Sequence, residues 1–113
     1  MNAYDIGFLY ELRAARYVRR HRGARILERR YRACGGELDL IAREGNTVVF
    51  IEVKARPNAP LGSGVAAVNA DKRRRMRQAA SAYLARKGLT DCACRYDILE
   101  FSRAGIVYME NAF

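Results

Sequence analysis

The segment from Gly36 to Lys54, GELDLIAREGNTVVFIEVK, constrains the fold more than any other part of this 113-residue chain. Two runs of alternating apolar and other residues flank Gly45-Asn46, a short turn signal, and together they predict a β-hairpin. A two-residue loop pairs Glu44 with Thr47. Continuing that register sets Asp39 opposite Glu52 and Glu37 opposite Lys54. Side chains alternate faces along a strand, so these four project from one side of the hairpin. Leu38, Leu40 and Ala42 with Val49, Ile51 and Val53 make the other side, which is apolar. The charged side itself turns apolar nearer the loop, at Ile41, Val48 and Phe50, so the cluster adjoins surface expected to be buried.

A patch of this kind can be a solvated strand face whose cross-strand ion pairs are worth under about 1 kcal/mol each. Two carboxylates placed opposite each other repel, however, and Asp39 and Glu52 have no local partner besides Lys54 or a cation. Magnesium takes oxygen ligands, usually one or two carboxylates completed by water and substrate phosphate. A lysine two residues from such a ligand can hold or deprotonate an attacking water, or neutralise charge on the phosphate.

The charge balance points to a polyanionic partner. Against 12 Asp and Glu stand 21 Lys and Arg, a net charge of +9, and only Lys54, Lys72 and Lys87 are lysines. Arginine offers a planar fork of donors suited to phosphate oxygens. Lys72, Arg73, Arg74, Arg75 and Arg77 crowd the first turns of a predicted helix over about Ala70–Lys87. Cations there are unfavourable by a few tenths to about 1 kcal/mol each, because the dipole prefers anions. A bound phosphate would relieve both conflicts. A second basic zone runs through Arg19, Arg20, Arg22 and Arg25 to Arg29, Arg30 and Arg32. Such contacts would be independent of base sequence and weakened by salt. Tyr31, Tyr83, Tyr96 and Tyr108 could stack on bases, although core packing accounts for them equally well.

Periodicity places a first helix over about Tyr4–Arg20, with Tyr4, Phe8, Ala15 and Val18 along one face and Arg13, Arg16 and Arg20 on the other. Glu11 falls on the apolar face, where a carboxylate must find a partner. A strand is expected over Arg25–Arg32, then the hairpin. Pro57 to Asn69, with both prolines and several glycines, reads as a loop beside the charged cluster. Met76, Ala79, Ala80, Tyr83 and Leu84 trace the core stripe of the second helix, and Gly88 its C-cap. Strands over Arg95–Phe101 and Ile106–Glu110 finish the chain. The order is α-β-β-β-α-β-β, an α/β domain with a mixed sheet and two helices, and 1–113 is long enough for one core and too short for two. Three cysteines and one histidine predict free thiols rather than a disulfide framework or a zinc site built from Cys34, Cys92, Cys94 and His21. No apolar run approaches the length of about 20 residues that spans a bilayer. The cytoplasm is the expected setting.

The run Gly36-Glu37-Leu38-Asp39-Leu40-Ile41-Ala42, followed by Phe50-Ile51-Glu52-Val53-Lys54-Ala55-Arg56, resembles the Asp-x(n)-Glu-x-Lys signature of the PD-(D/E)xK nuclease superfamily. More closely it resembles the YraN-like family of small bacterial proteins, similar to archaeal Holliday junction resolvases. Gly7, Glu11, Lys72, Arg95-Tyr96-Asp97 and Asn111-Ala112-Phe113 extend the likeness over most of the chain. Ala55, where Thr is usual, and the heavy Arg73-Arg74-Arg75 run depart from the pattern. The resemblance implies a restriction-endonuclease-like, three-layer fold and a metal-dependent nuclease acting on DNA, including branched structures of recombination and repair. Asp39, Glu52 and the backbone carbonyl of Val53 would hold Mg2+ or Mn2+. Lys54 would serve the attacking water, Glu37 would tune Lys54, and Glu11 would approach from the first helix. Lys72, Arg73, Arg74, Arg75, Arg77 and Arg56 would contact nucleic acid. A symmetric homodimer would suit paired cuts on a junction, an option the sequence leaves open. The other readings are a nucleic-acid-binding module without chemistry, and an accessory subunit that keeps the nuclease fold.

Overall fold

A computed structural model describes residues 2–58 and 68–113, the side chains of residues 3–5 excepted. The elements are α1 (Ala3–Arg22), β1 (Arg25–Ala33), β2 (Gly36–Glu44), β3 (Thr47–Ala55), α2 (Ala70–Lys87), β4 (Ala93–Ser102) and β5 (Gly105–Met109). This is the expected α-β-β-β-α-β-β order. The strands form one five-stranded sheet in the order β1-β2-β3-β4-β5. Only β3 and β4 run parallel, and α2 lies in the connection between them, as a parallel pair needs a crossover. Most of the anticipated loop between Pro57 and Asn69, residues 59–67, lies outside the described residues.

Local chemistry explains the boundaries. Asn69 caps α2 by accepting the Lys72 N–H at Oδ1, 2.9 Å away, and Gly88 ends it in the left-handed conformation at φ 67°. Gly45 takes φ 58° at the first position of the β2–β3 turn, the backbone sign that a two-residue hairpin of this twist requires. Gly36 has a different reason to be glycine. A Cβ there would lie 2.2 Å from the Arg75 carbonyl oxygen, so the start of β2 can approach α2 only without a side chain.

The sheet is buried on both faces. Beneath α2, Leu38, Ile41, Val48, Phe50 and Ile98 pack with Met76, Ala79, Ala80 and Tyr83. Beneath α1, Leu40, Ala42, Val49, Ile51, Leu99 and Phe101 pack with Ala14, Ala15 and Val18. Helix, sheet and helix thus form three layers. Two details differ from simple periodicity. Leu38 joins the α2 side although Leu40 joins the α1 side, so the alternation of β2 breaks at Asp39. Phe8 is exposed, with Ile6 and Leu9, because burial in α1 begins only further along, at Ala14.

Candidate active site

The break in β2 builds the site. Pairing of β2 with β3 follows the predicted register from Glu44↔Thr47 to Leu40↔Ile51 and stops there. Beyond that point β2 stays with β1 as far as Ala33↔Gly36, while β3 stays with β4 as far as Ala55↔Phe101. The strands part at Asp39, and its carboxylate takes over from the ladder: the Val53 N–H donates to Asp39 Oδ2 at 2.8 Å. On the other side of β2, Arg30 lies between the paired Arg29 and Tyr31, at φ 52°. A non-glycine residue in that region marks a local irregularity. Arg30 sends its Nε to Glu11 of α1.

Asp39 and Glu52 lie against each other in this gap. Burial pushes the Asp39 carboxyl well above its ordinary range, and the hydrogen bond and charge of Glu52 push it further, with Glu11 adding a smaller repulsion. Glu52 is 5 % exposed. Burial pushes it up as well, but the hydrogen bond from Asp39 and the positive charge of Lys72 outweigh that, and Glu52 stays below its ordinary value. Of the two, Asp39 is therefore the readier to take up a proton and Glu52 the readier to stay an anion.

Two lysines complete the cluster. Lys72 Nζ lies 3.0 Å from Glu52 Oε2. That contact is a charge pairing without directed hydrogen-bond geometry, and Glu52 Oε2 is buried with no hydrogen-bond partner among the described residues. Lys54 is half-buried beside it. Burial and the hydrogen-bonded neighbour Lys72 lower the Lys54 ammonium below its ordinary value, against the opposing pull of Glu52 and Asp39. Burial lowers Lys72 too, but Lys54 and Glu52 more than compensate, leaving Lys72 the firmly charged member. Two of the chain's three lysines thus meet at one carboxylate. That scarcity, in a chain otherwise cationic through arginine, is the signal by which Lys72 could have been placed here rather than only on a phosphate-facing helix.

The other expected residues are distributed unevenly. Glu11 stands near enough for Asp39 to feel its charge, and it has the partner its position demanded, Arg30. Glu37 does not reach across to Lys54; its ion pair, at 3.6 Å, is with Arg32, because β2 has left β3 at that level. Glu37 instead lines a cleft of about 690 Å³ with Arg32, Gly36, Lys72, Arg75 and Met76. Arg74 and Arg77 line a neighbouring groove, and Arg73 donates its Nε to the Val68 carbonyl. Of the helix's basic residues, Lys72 and Arg75 are therefore the ones that line this cleft. Arg56 is exposed past the end of β3. Glu100, not anticipated, is fully buried on β4 opposite Lys54 in the β3–β4 register. The second basic zone is partly spent on structure: Arg22 binds Glu44 and Glu110, and Arg30 binds Glu11.

The donors fit a hard divalent cation. Asp39 and Glu52 offer carboxylate oxygens to each other where a cation would be a better partner, and Glu52 Oε2 is a buried acceptor without a donor. Among the described residues no group of three or more His, Cys, Asp or Glu could hold a metal. Two carboxylates are nevertheless the set that magnesium uses when water and phosphate supply the rest. Cys34, Cys92 and Cys94 are free thiols, with Cys34 and Cys94 exposed rather than interior. No helix among the described residues is long and apolar enough to cross a membrane.

The model of the uncharacterised protein family UPF0102 matches residues 10–101. The chain is 39% identical to a UPF0102 protein of Hahella chejuensis over 116 residues, covering 100% of this chain and 93% of that protein. It is 42% identical to one from Dechloromonas aromatica, covering 91% and 83%. A UPF0102 protein of Geobacter sulfurreducens is 44% identical, with coverage of 88% and 81%. From its first helix to its fourth strand, and with the site between them, the chain belongs to the UPF0102 family.

Proposed function

We propose that this protein is a cytoplasmic metal-dependent nuclease of the PD-(D/E)xK type that hydrolyses phosphodiester bonds in DNA, including branched structures. One observation carries the reading. Asp39 and Glu52 are forced together in a gap between strands, with Lys54 beside them, and a structural protein gains nothing from that arrangement. Asp39, Glu52 and the Val53 carbonyl would hold Mg2+ or Mn2+. The cation would polarise the phosphate and promote formation of the attacking nucleophile from water.

The chain's own residues supply the rest. Lys54, lowered by burial and by Lys72, is the group fitted to exchange a proton with the attacking water. Lys72, held charged, offsets negative charge developing on the phosphate. Glu11, whose charge reaches Asp39, is itself paired with Arg30. Arg32 and Arg75 line the route by which a phosphodiester strand would reach the carboxylates.

Incubating the protein and its Glu52→Gln form with labelled linear, flapped and four-way DNA, with and without manganese, tests the reading. Metal-dependent cleavage by the wild type alone supports it; no cleavage of any substrate refutes it. One observation favours a binding module without chemistry: Glu52 already has a counter-ion in Lys72. Under that reading Glu52→Gln would bind DNA like the wild type, and neither would cut.

A further inference from the structure

We propose that Lys72 is a built-in competitor of the divalent cation, so that cation and phosphodiester bind cooperatively rather than independently. The inference rests on the metal site proposed for Asp39 and Glu52. Its basis is formal charge. With both carboxyls ionised, as ligation of a cation requires, Asp39 and Glu52 face Lys54 and Lys72, two against two, while Glu11 is balanced by Arg30 and Glu37 by Arg32. A divalent ion at the two carboxylates adds two positive charges to a set that is already neutral. Glu52 is buried, so repulsion between an ion held there and the ammoniums is screened less than at an open surface.

One ammonium must yield, and the structure distinguishes them. Lys54 sits within β3, paired in register with Glu100 of β4. Lys72 stands on the first turn of α2, its side chain 34% exposed, and it already lines the open cleft that holds Arg32 and Arg75. Its unbranched stem can swing the charge from Glu52 into that cleft. There it adds an ammonium to a cleft in which Glu37 offsets Arg32 and Asp71 is divided between Arg74 and Arg75, a surplus that a phosphodiester offsets. Cation binding therefore readies the cleft for phosphate, and phosphate in the cleft holds Lys72 away from Glu52. By thermodynamic reciprocity, each ligand tightens the other by the same factor.

Manganese calorimetry at about pH 8, with and without short duplex DNA, reads this directly on the wild type, Lys72→Met, Lys72→Gln and Glu52→Gln. Removing the competitor should tighten manganese binding by about tenfold, within the usual range for coupled sites. DNA should tighten manganese binding to the wild type by a similar factor and change it little in either Lys72 variant. Manganese affinity unchanged or weakened in both folded Lys72 variants overturns the competition, while wild-type binding abolished by Glu52→Gln leaves the metal site standing. Absence of manganese binding by every form overturns both.

Discussion

Glu44, at the Gly45 end of β2, and Asp97, midway along β4, are surrounded by donors; where β2 parts from β3, Asp39 and Glu52 lie against each other, with the Val53 N–H and Lys72 as their partners. Asp97, fully buried, accepts from Arg95 Nε at 2.9 Å, from the Tyr108 hydroxyl and from the Asn111 N–H at 3.0 Å. Glu44 accepts from Arg22 at 2.7 Å and from Arg95 at 3.0 Å. Burial pushes Glu44 up, yet the two guanidiniums hold it below its ordinary value. Asp39 moves the opposite way. The first cluster closes a structure: it ties the end of α1 and the chain's last residues to β4. The second keeps electrostatic demand in reserve, as sites that must bind something do. α1 spans both, with Glu11 near one cluster and Arg22 in the other, eleven residues apart (22 − 11), or about 16 Å of helix.

The largest expected effect breaks the second cluster without harming the first. Lys54→Ala should bind DNA nearly as the wild type does and manganese at least as well, and lose cleavage by about 10² or more. Lys54→Arg should rescue only in part, because a guanidinium keeps its proton. Single-turnover rates at saturating DNA would separate this from a binding defect. Equal rates would remove Lys54 from the chemistry.

The converse substitution, Arg95→Met, takes from Asp97 its one ion-pair partner among the described residues and from Glu44 one of its two guanidiniums. It should cost about 3–5 kcal/mol in denaturant unfolding, the scale for leaving a buried charge unpaired. A cost below about 1 kcal/mol would mean that this cluster is not the anchor described.

Acidity sharpens the contrast, since the two clusters have opposite signs. Asp39 is raised in the folded state. Below its ordinary 3.8 it is protonated folded or unfolded and carries no penalty; as pH rises from there towards the folded value, the unfolded chain ionises first and stability falls. Glu44 is lowered, so its contribution is present above its ordinary 4.5 and is lost as pH falls through the folded value. Asp39→Asn should therefore stabilise the protein by about 1 kcal/mol at about pH 8 and hardly at all at about pH 4. Glu44→Gln should destabilise more at the higher pH. Unfolding curves for both at the two pH values would show it; a parallel response would erase the distinction.

The smallest effect lies in the cleft. Arg75→Gln should flatten the salt dependence of DNA binding by roughly one unit of slope, whereas Arg73→Gln should leave it unchanged. Arg73 is committed to the Val68 carbonyl. Equal slopes would mean that the cleft is not the path of the strand.

Much of this arrangement was legible in the chain. The hairpin register follows from the Gly45-Asn46 turn and the alternation around it, and the bounds of α2 from Asn69 and Gly88, because those signals are local. Glu11 demanded a partner by lying on an apolar face. The strand order was not legible, since the β3–β4 pairing joins residues far apart in sequence. Nor was the parting of β2 from β3 at Asp39, which sends Leu38 to the other face and gives Glu37 to Arg32. Extrapolated pairing cannot reveal where a strand exchanges neighbours. Lys72 was read as a surface cation because its nearness to Glu52 depends on how α2 settles over Gly36, a tertiary contact.

The central claim is that Asp39 and Glu52 form a cation site, and manganese titration of the wild type beside Asp39→Asn tests it most directly. Saturable binding by the wild type that Asp39→Asn abolishes, with both proteins folded, is the predicted result. Indistinguishable titrations, or no saturable binding by the wild type in the presence of DNA, would contradict it.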